Sequence, residues 1–112
     1  MKVAVIGSRG LSIPNLKDYL PAGTAEIVSG GARGVDASAR VYAKTNDIKL
    51  TEFLPQYKRY GRGAPLKRNE QIIEHSDIVL AFWDGESRGT KWVIDKCNEL
   101  GVIVEVVLMP SK

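Results

Sequence analysis

Three short segments carry residues whose types and spacing suit anion chemistry: Gly7-Ser8-Arg9-Gly10, Ser29-Gly30-Gly31-Ala32-Arg33-Gly34-Val35-Asp36 and Asp84-Gly85-Glu86-Ser87-Arg88-Gly89-Thr90. Each joins glycine, a hydroxyl and an arginine. Glycine lets a phosphate approach backbone N–H groups, and arginine adds a planar fork that grips two oxygens at once. Neither the GxGxxG turn of dinucleotide sites nor the GxxxxGK[ST] phosphate loop occurs, since Ser29 stands where the first glycine of the former would be. Alone, each segment also reads as a tight turn. Together they read as an anion site, with Arg9, Arg33 and the glycine amides on phosphate.

Further candidates lie between these segments. Asp36 reads either as a carboxylate at a helix N-terminus or as an acceptor for a ribose or for Arg33. Asn69 interrupts an apolar stripe, so its amide is either buried with its bonds satisfied or aimed at a ligand. Asp84 and Glu86 read as solvated acids of a turn. Tyr57-Lys58-Arg59-Tyr60-Gly61-Arg62 followed by Lys67-Arg68 gathers five cations and two tyrosines with no acid, the mixture that single-stranded nucleic acid uses. The same stretch also reads as a solvated loop or as a lid over a crevice.

The single cysteine, Cys97, has no disulfide partner in the chain, and with His75 it makes no zinc-ligand set. Cys97 reads as a small buried residue, and no metal is expected.

These residues need a scaffold. Five apolar runs, at 2–6, 25–29, 48–54, 78–83 and 102–109, alternate with helical patterns, which predicts a three-layer α/β, Rossmann-like domain. The expected sheet has five mainly parallel strands in the order 3-2-1-4-5. In such a sheet the residues that follow the strands share one edge, so the three glycine segments converge there. Helices are expected around 14–20, at about 35–45, from Pro65 with Leu66, Asn69 and Ile73 on one stripe, and over 90–100 with Trp92, Val93, Cys97 and Leu100 inward. The loop over 55–64 is longer than usual between strand and helix.

At 112 residues the chain is one domain, and a net charge of +3 permits an anionic partner without naming one. The apolar runs are too short for a membrane span and the N-terminus does not read as a secretory signal, so a cytoplasmic location is expected. The apolar last strand is a candidate face for a homo-oligomer.

Taken in order, "VAVIGSRG", "IVSGGARGVDASARVYA", "GAPLKRNEQI" and "SDIVLAFWDGESRGTKWVID" resemble the SLOG superfamily, especially its small stand-alone members, over nearly the whole chain. The resemblance implies a Rossmann-like fold that binds a nucleotide or nucleotide-derived ligand, as a sensor or a ligand-processing domain. It places Gly7, Ser8, Arg9, Gly30, Gly31, Gly34, Asp36, Arg68, Asn69, Gly89 and Thr90 at the ligand, and Ser29 and Arg33 belong to the same loop.

The chain is also similar to the LOG phosphoribohydrolases, which cleave the N-glycosidic bond of a nucleotide, and Arg68 matches their helix arginine. It departs from them at Asp84-Gly85, where they have PGG, and at Lys91-Trp92-Val93, where their glutamate is missing. Arg68 and Glu70 are then the catalytic candidates, with Glu86 another possible stand-in for that glutamate. Related SLOG domains in DNA-uptake proteins suggest single-stranded nucleic-acid binding through residues 57–68 as a further reading.

Overall fold

Hydrophobic β-branched runs supply a sheet buried on both faces. The computed structural model describes residues 1–109, in which five parallel strands form one sheet. They are β1 (Lys2–Gly7), β2 (Glu26–Ser29), β3 (Lys49–Glu52), β4 (Ile78–Trp83) and β5 (Ile103–Leu108), ordered β3-β2-β1-β4-β5. Ala4 pairs with Val28 on one side and with Val79 on the other, which fixes the register at the centre. The fold is the expected three-layer, Rossmann-like α/β domain.

Alternation along the central strands divides the core into two halves. Val3, Val5, Leu80 and Phe82 point to the face covered by α1 (Val35–Thr45), where Val35, Ala39 and Ala43 lie close to the sheet because they are small or β-branched. Ala4, Ile6, Val79 and Ala81 point to the opposite face, under Ile72 and Ile73 of α3 (Ala64–His75) and Val93 and Cys97 of α4 (Arg88–Leu100). Cys97 is fully buried, and burial pushes its thiol pKa up.

Several local expectations give way. The segment over 14–20 holds only a 3-10 turn at Leu16–Asp18, which buries Leu16 and sets Tyr19 edge-on to Phe82 at 5.2 Å. Pro14 and Pro21 bound it too closely for a helix to repay its nucleation cost. In α3 the inward stripe is Ala64, Arg68 and Ile72, a spacing of four, which carries Leu66 to the other side, where it is 43% exposed. Leu100 keeps the phase of the α4 stripe but is 53% exposed at the helix end, where Gly101 turns the chain into β5. The long loop is partly ordered as one helical turn, α2 (Tyr57–Tyr60), and a 3-10 turn at Gly61–Gly63. As the outer strand, β5 leaves Ile103, Val106 and Leu108 exposed. No helix among the described residues is long and apolar enough to cross a membrane.

Candidate functional site

Because every strand runs the same way, the turns after β1, β2 and β4 meet at one edge and enclose a crevice of about 480 Å³, within the range of small-ligand sites. Gly7, Ser8 and Arg9 line it from the first turn, Gly30, Ala32 and Asp36 from the second, and Asp84, Ser87, Gly89 and Thr90 from the fourth strand's turn and α4. Arg68 and Asn69 reach it from α3.

The turns are fastened to one another. Ser8 is buried: its N–H donates to the Phe82 carbonyl at 3.1 Å and its hydroxyl accepts the Asp84 N–H at 3.3 Å. The Asp84 carboxylate in turn accepts the N–H groups of Ser87 at 2.7 Å and Glu86 at 2.9 Å, which hold its carboxyl below the usual aspartate range. Asp84 therefore acts as the acid of a turn, as its sequence context suggests. It presents the N-terminus of α4, where, among the described residues, neither side-chain caps nor backbone acceptors occupy the amides of Gly89 and Thr90.

Arg68 is 9% exposed. Its Nη1 donates to the Gly30 carbonyl at 2.7 Å and its Nε to the Asn69 side-chain oxygen at 2.9 Å. The rest of its five N–H donors have no acceptor among the described residues. Burial lowers the guanidinium pKa, Asp36 and Tyr57 nearby oppose that shift, and Arg9 adds to it. Arg68 stays cationic at neutral pH. Asn69 is half-buried and lines the crevice, with its side-chain oxygen taken up by Arg68.

Asp36 is buried in the first turn of α1, where it accepts the Ala32 N–H at 3.1 Å. Burial raises its pKa, while the Ala32 bond, the Arg68 charge and the nearby Ser29 hydroxyl pull it back. Ser29 is fully buried and makes no hydrogen bond of ordinary geometry, the one buried side-chain oxygen so left among the described residues.

The structure separates other candidates from the crevice. Gly31 turns toward β3, where an added Cβ would collide with Leu54, and its carbonyl accepts from Arg40 at 3.3 Å. Gly34, at φ +71°, packs α1 onto the Arg9 carbonyl. Gly7 stays in the crevice lining and also packs β1 against Phe82 and Val35. Arg33 is exposed and outside the lining, whereas Arg9, also exposed, lines the crevice with no ion pair or hydrogen bond among the described residues. Glu70 pairs with Lys67 at 3.6 Å, one helical turn back, and does not line the crevice. Of the basic stretch, Tyr60 is flanked by its own cations, Arg59 at 5.2 Å and Lys67 at 5.7 Å from the ring centre, while Tyr57 is 59% exposed.

Lining residues that the sequence reading passed over include Ser87, Pro65 and Leu66. No group of three or more potential metal ligands occurs among the described residues. No family model, curated protein or solved structure matches the chain.

Proposed function

We propose that the protein binds a nucleotide or nucleotide-derived ligand in the crevice at the carboxyl edge of its sheet, as a sensor or ligand-processing domain. The observation that carries this reading is the meeting of Arg68, with donors left over, the unpaired Arg9 and the open amides of α4 around one cavity. Positive helix-end charge and two guanidinium forks suit phosphate oxygens. Asn69 and Asp36 then take ribose or base groups. The resemblance to the SLOG superfamily supports the same assignment.

Calorimetric titration with AMP tests it. The expected result is saturable binding that Arg9→Glu weakens about tenfold or more, the scale of a lost charge-assisted contact. No heat at millimolar AMP, or binding indifferent to Arg9→Glu, would overturn the reading.

One observation favours a second reading, N-glycosidic hydrolysis. A carboxyl group with a raised pKa, Asp36, lines the crevice beside Arg68 and has the character of a general acid. Chromatography for free adenine after incubation with AMP checks this. Release lost in Asp36→Asn and kept in Glu70→Gln supports it, and absence of release removes it.

A further inference from the structure

The crevice has a neighbour. A second hollow of about 800 Å³ lies along α1, lined mainly by apolar groups that include Leu11, Pro14, Ala37 and Val41, together with the Tyr42 ring. Arg9 and Gly10 line both hollows. The Arg9 carbonyl is pressed against Gly34 at the start of α1, which fixes this shared stretch, while an added Cβ on Gly10 would meet no atom within 4 Å. The boundary is therefore packed onto α1 through its backbone and open above Gly10.

The charge pattern of the second hollow is specific. Arg9 is its only charged lining residue, and no acid lines it. Val41 stays 64% exposed, so nothing else in the described fold covers this apolar surface. A mononucleotide seated by its phosphate leaves it uncovered. An uncharged flat group tethered to that phosphate would cover it and gain the burial of Val41, Pro14 and the Tyr42 ring.

We infer that the ligand is bipartite: a nucleotide whose anionic bridge rests on Arg9 and whose second, flat and largely apolar group lies in the α1 hollow, as in a dinucleoside pyrophosphate. This rests on the nucleotide reading of the crevice. Arg9 then serves as a pivot shared by the two halves, which explains an unpaired arginine on the boundary between two cavities.

The test compares AMP with diadenosine pyrophosphate by calorimetry, on the wild-type chain and on Val41→Glu and Ala37→Trp. The first variant places a charge on an exposed helix position, and the second fills the hollow. The wild-type chain is expected to bind the dinucleoside about tenfold or more tightly than AMP, with the ratio falling to about one in either variant. A ratio of one in the wild-type chain, or a preference that survives both substitutions, overturns the inference and leaves the AMP site standing. Failure of both ligands to bind overturns the nucleotide reading and this one with it.

Discussion

The Arg68 guanidinium donates to the Gly30 carbonyl at 2.7 Å, and a Cβ added to Gly30 would stand 2.6 Å from the same nitrogen. Gly30 thus supplies both the acceptor and the space for the buried cation. Gly30→Ala is expected to push the guanidinium out of place, at about 1–2 kcal/mol of stability, the scale of a lost charged hydrogen bond. Arg68→Ala strands the Gly30 carbonyl and removes the charge facing Asp36, at about 1–3 kcal/mol. Urea unfolding followed by tryptophan fluorescence measures both. AMP affinity should fall about tenfold in each variant.

Gly34 and Gly89 are expected to respond in opposite directions. Gly34 has a backbone conformation that side chains rarely adopt and touches the Arg9 carbonyl, so Gly34→Ala should cost about 2–4 kcal/mol. Gly89 is in the first turn of α4 with open space where a Cβ would go, so Gly89→Ala should gain up to about 1 kcal/mol. Thermal denaturation of the two variants separates the packing glycine Gly34 from Gly89, which lines the crevice. A weakened AMP affinity in Gly89→Ala alongside higher stability would place the α4 amides at the anion.

Two carboxylates should tilt the pH dependence of stability in opposite directions. At the far edge of the sheet Glu26 accepts from His75 Nε2 at 2.7 Å and Thr51 Oγ1 at 2.8 Å, with Lys49 Nζ at 3.4 Å. An ionised carboxylate only accepts, so Nε2 carries the hydrogen. The His75 bond foremost, opposed by burial and helped by Thr51 and Lys49, lowers the Glu26 pKa from 4.5 to about 2. Its contribution is present above about 4.5 and is lost as pH falls toward about 2. Allowing for the exposed Lys49 and screening, Glu26→Gln should remove roughly 1–2 kcal/mol of that acid-side slope.

Asp36 has the reverse sign. Its pKa is raised by burial, so folding favours the protonated form and stability is lost as pH rises through the folded-state pKa. Asp36→Asn keeps an acceptor for Ala32 and abolishes that loss. The unfolding free energy of the variant relative to wild type should therefore increase from acid to neutral pH, measured by denaturant titration across the range.

The basic segment should be separable from the crevice. Lys58 and Arg62 are exposed and outside the crevice lining. Lys58→Glu with Arg62→Glu is expected to leave AMP affinity within about twofold while abolishing any salt-dependent retention of single-stranded DNA. Fluorescence anisotropy at two salt concentrations reads the second effect.

The order and direction of the strands were legible in the sequence, because five apolar runs separated by helical patterns leave few right-handed arrangements for a parallel sheet. That order is enough to bring Gly7, Gly30 and Gly89 to one edge, since strand direction alone decides where each turn emerges. Which side of a turn each residue faces was not legible. Gly31 and Arg33 share a segment with Gly30, yet Gly31 faces Leu54 and Arg33 lies outside the crevice, because the torsions of a glycine turn are set by what packs on either side of it. Glu70 and Arg68 are two positions apart on α3, and helical geometry sends them to different faces. The sheet, its edge and the kinds of group gathered there follow from local patterns along the chain. That Gly30, Asp36 and Asn69 surround Arg68, and that Arg9 stands between two hollows, emerges on folding, because contacts between distant turns depend on packing that no local pattern encodes.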